Sequence, residues 1–353
     1  MLNFIYMKKL LSLFLFITLA GVGCISFSGS GGNDGGVWRS VDQGAHWQQF
    51  NAFPTAQAIG SIGGVDILDF TADPQDRLAI YAHTYADGLL YTYDGGATWQ
   101  RARDLSAGLV TGVSVNSKDK CTVYVSSGPR VYKTTDCSRS YTDIYFETSG
   151  NTITEVVNDW FNTNIVYIGM NNGDVLKSLD SGVSWSVLKR FSDYVQKIYI
   201  SPQDSRTVYI GTRNSGIWKS TDGGANWESL SEKLGQYGGG AGLVDIVGDK
   251  TSRDLMLIAT QYGILRTRDG GATWEPLKLH TAPGSVLIYS LAVNPGNANH
   301  VYYGTASTFY KSLDGGATWV TERLPTSRAA TVITVDPEDG NVIYLGGTKI
   351  KQE

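Results

Sequence analysis

The sequence predicts an all-β fold: a seven-bladed β-propeller of four-stranded antiparallel blades, closed by pairing N-terminal C–D strands with C-terminal A–B strands. Three observations predict it. An eight-residue pattern, seen in "TYDGGATW" (Thr92–Trp99) and "SLDGGATW" (Ser312–Trp319), recurs seven times, at start-to-start spacings of 52, 42, 44, 42, 47 and 45 residues. That period is the size of a propeller blade. Each copy closes a longer unit of short Val/Ile/Tyr/Thr-rich runs cut by Gly, Pro and Asp, which read as strands A to D. Finally, the N-terminal "GVWRSVDQGAHW" supplies only strands C and D, whereas the C-terminal "TVITVDPEDGNVIYLGGTK" supplies only A and B. Joined, they make the seventh blade and remove exposed sheet edges. An open β-solenoid is the second reading of the repeat.

Composition agrees with this class. The 353 residues include 42 Gly, 20 Tyr and 9 Trp, with 18% charged, which suits a turn-rich β protein. Formal net charge is −4, and the first 24 residues hold two Lys and no acid, leaving −6 on the rest. A mildly acidic chain without a basic run argues against nucleic-acid binding.

In chain order, the first element is a targeting segment. "MKKLLSLFLFITLAGVGC" (Met7–Cys24) has a basic start, an apolar run and a small-residue end, the design of a secretory signal. The run is shorter than the ~20 residues needed to span a bilayer. Cys24 at its end resembles the lipobox of bacterial lipoproteins, although the third position before it is Gly21 rather than Leu. Lipidation at Cys24 is the expectation, with a plain cleaved signal or an uncleaved anchor as alternatives. Residues 25–36 form a Gly/Ser tether, and residues 37–353 the propeller. An exported, membrane-anchored chain follows, facing periplasm, lumen or exterior. Cys121 and Cys137 flank "TVYVSSGPRVYKTTD", two strands about a Gly128-Pro129 turn, and are expected to face each other as a disulfide. Two small core residues that never meet are the alternative.

The boxes carry Asp42, Asp94, Asp136, Asp180, Asp222, Asp269 and Asp314 at their third position. A carboxylate there can accept N–H groups of its own turn. Gly at the fifth position meets a positive-φ demand, and the closing Trp serves as an apolar plug between blades. A device copied seven times reads as structural rather than catalytic. The pattern S/T-x-D-x-G-x-x-W resembles the Asp-box, or bacterial neuraminidase repeat. The whole blade resembles those of photosystem II assembly/stability factor-like proteins, the sortilin luminal domain and xyloglucan-cleaving glycoside hydrolases. That resemblance covers residues from about 36 to 349 and implies the fold far more firmly than a function. The third box departs from it, with Ser138 for Gly and Tyr141 for Trp.

With the boxes on C–D hairpins, ligand sites belong to the opposite face of D–A and B–C loops. Those loops carry Arg101, Arg103, Arg130, Arg190, Arg213 and Arg328, with Tyr194 and Tyr262 among their aromatics. Such a face could accept carboxylate-bearing or acidic protein partners; ordinary solvated loop charge is the alternative. Strand A lines the channel, where equivalent positions carry Asp69, Gly112, Glu155, Lys197, Asp245, Ser290 and Val332. Asp69, Glu155, Lys197 and Asp245 are the candidate channel site, the alternative being a hydrated channel with no ligand. No Arg-Ile-Pro of a sialidase occurs, and the four His are scattered. No catalytic residue, metal or cofactor is therefore expected. The expected function is a tethered, non-catalytic protein- or peptide-binding scaffold in the cell envelope, which the resemblance extends to membrane-protein assembly. The alternative is a carbohydrate-active propeller, a glycan binder or glycoside hydrolase.

Overall fold

The computed structural model describes residues 33–249 and 254–350. Cys24, the signal segment and most of the tether lie outside the described residues. Seven four-stranded antiparallel sheets form the blades. The closing blade takes strands A and B from Ala329–Val335 and Ile343–Thr348, and C and D from Val37–Ser40 and Gln48–Gln49. Val37 pairs with Gly346 and Ser40 with Ile343, as the incomplete first and last units require. The remaining A strands are Ile67–Asp73, Gly112–Asn116, Ile153–Asn158, Val195–Ile200, Leu243–Gly248 and Ser290–Asn294. Each touches the next, and Ala329–Val335 touches Ile67–Asp73 to close the ring. The Thr331 hydroxyl donates to the Ile67 carbonyl across that seam at 2.6 Å.

The box turn is built more tightly than its sequence implies. In every copy the first-position Ser or Thr donates to the Asp carboxylate at 2.7–2.8 Å. The same hydroxyl accepts the fifth residue's N–H. The carboxylate also takes both the N–H and the side chain of the seventh residue, as Thr318 shows on Asp314. Positions four and five both have positive φ, so Gln43, Cys137 and Ser181 occupy a conformation that glycine holds in the other copies. Preceding blades then grip several of these turns. Lys133, Lys177 and Lys219 donate to the carbonyls of Ser181, Gly223 and Gly270 in the next blade. The Tyr344 and Tyr209 hydroxyls do the same at Gly95 and Gly270.

The closing Trp packs between blades, as expected. Trp99 is fully buried and donates to the Phe50 carbonyl of the preceding connection at 2.7 Å. Trp47 lies edge-on to Phe309 of the preceding blade. In the third box, the Tyr141 hydroxyl donates to Ser138 Oγ at 2.9 Å, so the two departures satisfy one another.

Cys121 and Cys137 are joined by a disulfide, though not as opposed strand residues. The ladder runs from Ser127↔Arg130 to Val123↔Thr134, around a two-residue Gly128-Pro129 turn, and Cys137 lies beyond it in the box turn with φ 58°. The bridge therefore ties the third box to the start of strand B. A second departure concerns residues 33–36, assigned above to the tether. Gly35 and Gly36 donate to the carbonyls of Gly63 and Val65, binding this segment to the propeller. A small hairpin, Ala52–Pro54 with Ile59–Ser61, stands in the connection that follows; the linear pattern gave no sign of it.

Candidate functional site

The axial cavity, about 690 Å³, is walled by the A strands. Of the seven equivalent channel positions, Asp69, Glu155, Lys197, Asp245, Ser290 and Val332 line it. Strand A places them there because side chains alternate between faces and the innermost strand presents one set to the axis. The Lys197 ammonium lies 3.5 Å from Asp69 and 3.9 Å from Glu155. Their strands belong to three different blades, so this pair of contacts struts the ring from inside. His83 stands in the strand beside Asp69, paired with it in register, and its Nε2 lies 2.9 Å from the Thr71 hydroxyl. In the sequence His83 is one of four scattered histidines, and its signal is its place opposite a channel acid.

Charge in the cavity is unbalanced. The Glu155 carboxylate beside it raises the Lys197 ammonium, which stays protonated although burial opposes it. Burial alone would raise Asp69; the adjacent ammonium holds it below the usual carboxylate range. Glu155 is pushed up to about 7 and Asp245 to about 6, each chiefly by burial. His83 is pushed down to about 4 by burial and is neutral at physiological pH.

The rim arginines fare differently from one another. Arg328 is a correction: it is 1% exposed and unavailable to any partner. Its guanidinium donates to the carbonyls of Val65 and Gly64 at 2.6 and 2.9 Å and pairs with Asp66, with Asp34 at 3.8 Å. The Asp66 carboxylate also accepts the Lys349 N–H. Arg328 and Asp66 thus clasp the segments at Asp34 and Lys349 to the connection entering the next blade. Arg101 pairs with Asp87, Arg190 with Asp174, and Arg130 with Asp143 while stacking on Phe146. These three and the exposed Arg103 are spread over successive blades, not gathered into one cluster. Arg213 is exposed beside the cavity, its guanidinium 3.7 Å from the ring centre of Tyr194, which lines the cavity. Tyr262 packs against Tyr237, ring centres 5.2 Å apart and tilted by 56°, beside a smaller groove. Among the described residues, no group of His, Cys, Asp and Glu is arranged to hold a metal ion.

No family profile matches the sequence, and no curated protein does. Solved structures match the fold. A GH74 enzyme of Niastella koreensis aligns at TM-score 0.64 and 15% identity, over 80% of this chain and 51% of its own. The GH74 xyloglucanase of Xanthomonas campestris gives 0.65 and 16%, over 88% and 52%. YCF48 bound to D1 peptide gives 0.62 and 18%, over 82% of this chain and 94% of its own. The chain therefore spans about half of the GH74 structures and nearly all of YCF48.

Proposed function

We propose that the chain is a non-catalytic scaffold that binds a protein or peptide partner at the mouth of its axial cavity. On this reading it is exported, held to an envelope membrane through Cys24, and assists assembly of a membrane-protein complex. The observation that carries the reading is one of extent. The chain matches nearly the whole of YCF48, whose structure holds a peptide, and only half of each GH74 enzyme. Its repeated turns support an Asp-box lineage, in which propellers serve many ends. The channel chemistry adds weight. Glycoside hydrolysis needs two carboxyl groups with the scissile bond between them, whereas Asp69 and Glu155 share one ammonium.

Cross-linking of the membrane-anchored protein, followed by mass spectrometry, tests the proposal. One partner should be recovered, and lost on charge reversal of Arg103 and Arg213, the rim arginines without an acidic partner in the described structure. Loss of membrane association in Cys24→Ser tests the anchor. A second reading, carbohydrate activity, is favoured by the GH74 likeness; turnover of a glycan panel abolished by Asp69→Asn would support it and remove the first.

A further inference from the structure

The axial cavity carries more negative charge than its own residues neutralise. Asp69, Glu155 and Asp245 face one ammonium, and Lys197 pairs with the first two only. Asp245 has no ion-pair partner among the described residues; its carboxylate accepts the Ile246 N–H at 2.8 Å. Two deeply buried side chains of the cavity wall also carry polar atoms with no partner: His83 at Nδ1, 3% exposed, and Thr154 at Oγ1, 7% exposed. At the mouth stand Tyr85, 62% exposed, with Tyr194 and Tyr289. Aromatic faces attract cations, and Tyr194 already holds one in Arg213. The carboxylates are too dispersed for a metal ion, which leaves a ligand whose positive charge is itself spread over a larger group.

We propose that this cavity binds an organic cation, the guanidinium or ammonium of an arginine or lysine side chain presented by the partner. The inference rests on the scaffold reading for its source of ligand, and on the cavity alone for its chemistry. The tyrosines guide the side chain in; Asp245 and Glu155 receive its charge. Because burial raises both carboxyls, to about 6 and about 7, a cation that favours their ionised forms binds with release of protons. The groups facing them across the cavity are Asp69, His83 and Lys197, with the three phenols at the mouth. His83 is already neutral above pH ~5 and Lys197 stays charged, so affinity tightens as pH rises through 6 to 7.

Calorimetric titration of the full-length protein with N-acetyl-arginine methylamide, and with its neutral isostere N-acetyl-citrulline methylamide, tests the proposal. The arginine probe should bind roughly tenfold more tightly than the citrulline probe, and Asp245→Asn should weaken it by a similar factor. Glu155→Gln provides a second variant, and thermal melting of both verifies the fold. Binding of the arginine probe should strengthen from pH 5.5 to 7.5 in the parent and lose that dependence when both carboxyls are amidated. Equal binding of the two probes, binding undiminished in Asp245→Asn, or no binding by either probe would overturn it. Failure of the probes with Arg213-dependent partner capture intact removes the cation site and spares the scaffold. Probe binding with no partner recovered does the reverse.

Discussion

Arg328 and Arg103 occupy the same kind of connection, yet one is a structural clasp and the other a solvated rim charge. What separates them is Asp66, 262 positions away from Arg328 in the chain. A guanidinium supplies a rigid fork of donors, which suits two carbonyls and a carboxylate at once. Taking it away leaves Asp66 part-buried and the carbonyls of Gly64 and Val65 without their donor. Arg328→Ala should therefore cost about 3–5 kcal/mol, and Arg328→Lys should recover little of it. Arg103→Ala should stay within about 0.5 kcal/mol. Denaturant unfolding of the three variants compares them directly. Residue scale is also where the sequence was least legible. Asp69, Glu155, Lys197 and Asp245 could be found because strand position repeats from blade to blade. A loop arginine has no such register, and burial is decided by segments that meet it only after ring closure.

The box turn shows how an element can be legible in outline and hidden in its partners. The hydroxyl, carboxylate, glycine and Trp positions follow from backbone geometry within eight residues, and the structure uses each as the pattern implies. The Lys and Tyr grips on the turn were invisible, since each acts on the neighbouring blade. Lys177 donates to the Gly223 carbonyl at 2.8 Å and lies over the Tyr167 ring, so Lys177→Met should loosen one blade interface by roughly 1 kcal/mol, read as a lowered denaturant midpoint. The third blade has the least regular turn. Cys137 and Ser138 both hold positive φ where most copies carry Gly, an arrangement that costs backbone strain, and the bridge to Cys121 pins the turn from outside. Closing 16 residues by a disulfide contributes about 3 kcal/mol in the chain-entropy account. Reduction, or Cys121→Ser with Cys137→Ser, should destabilise the protein by about that amount. An unchanged midpoint would mean that the Tyr141–Ser138 hydroxyl pair suffices.

At the scale of the whole molecule, the rim of boxes and two carboxyls of the axial cavity impose opposite responses to pH. The box carboxylates accept N–H and O–H donors in the folded state, and six of them, Asp94 excepted, are held down to about 2; Asp94 is lowered too. A carboxyl depressed on folding adds stability above its unfolded value, near 4, and that stability is lost as pH falls from there towards 2. Glu155 and Asp245 act in the other sense. Raised to about 7 and about 6, they hold protons that the unfolded chain has released, so stability falls as pH climbs from about 4 through 7. Stability should peak between about pH 4 and 5, drop steeply on the acid side and decline gently towards neutrality. Unfolding midpoints across pH 2–8 give the curve. In Glu155→Gln with Asp245→Asn the neutral-side decline should give way to a rise towards about pH 6.5, because burial holds His83 down at about 4, while the acid limb stays. Persistence of that decline in the double variant would place its source outside Glu155 and Asp245.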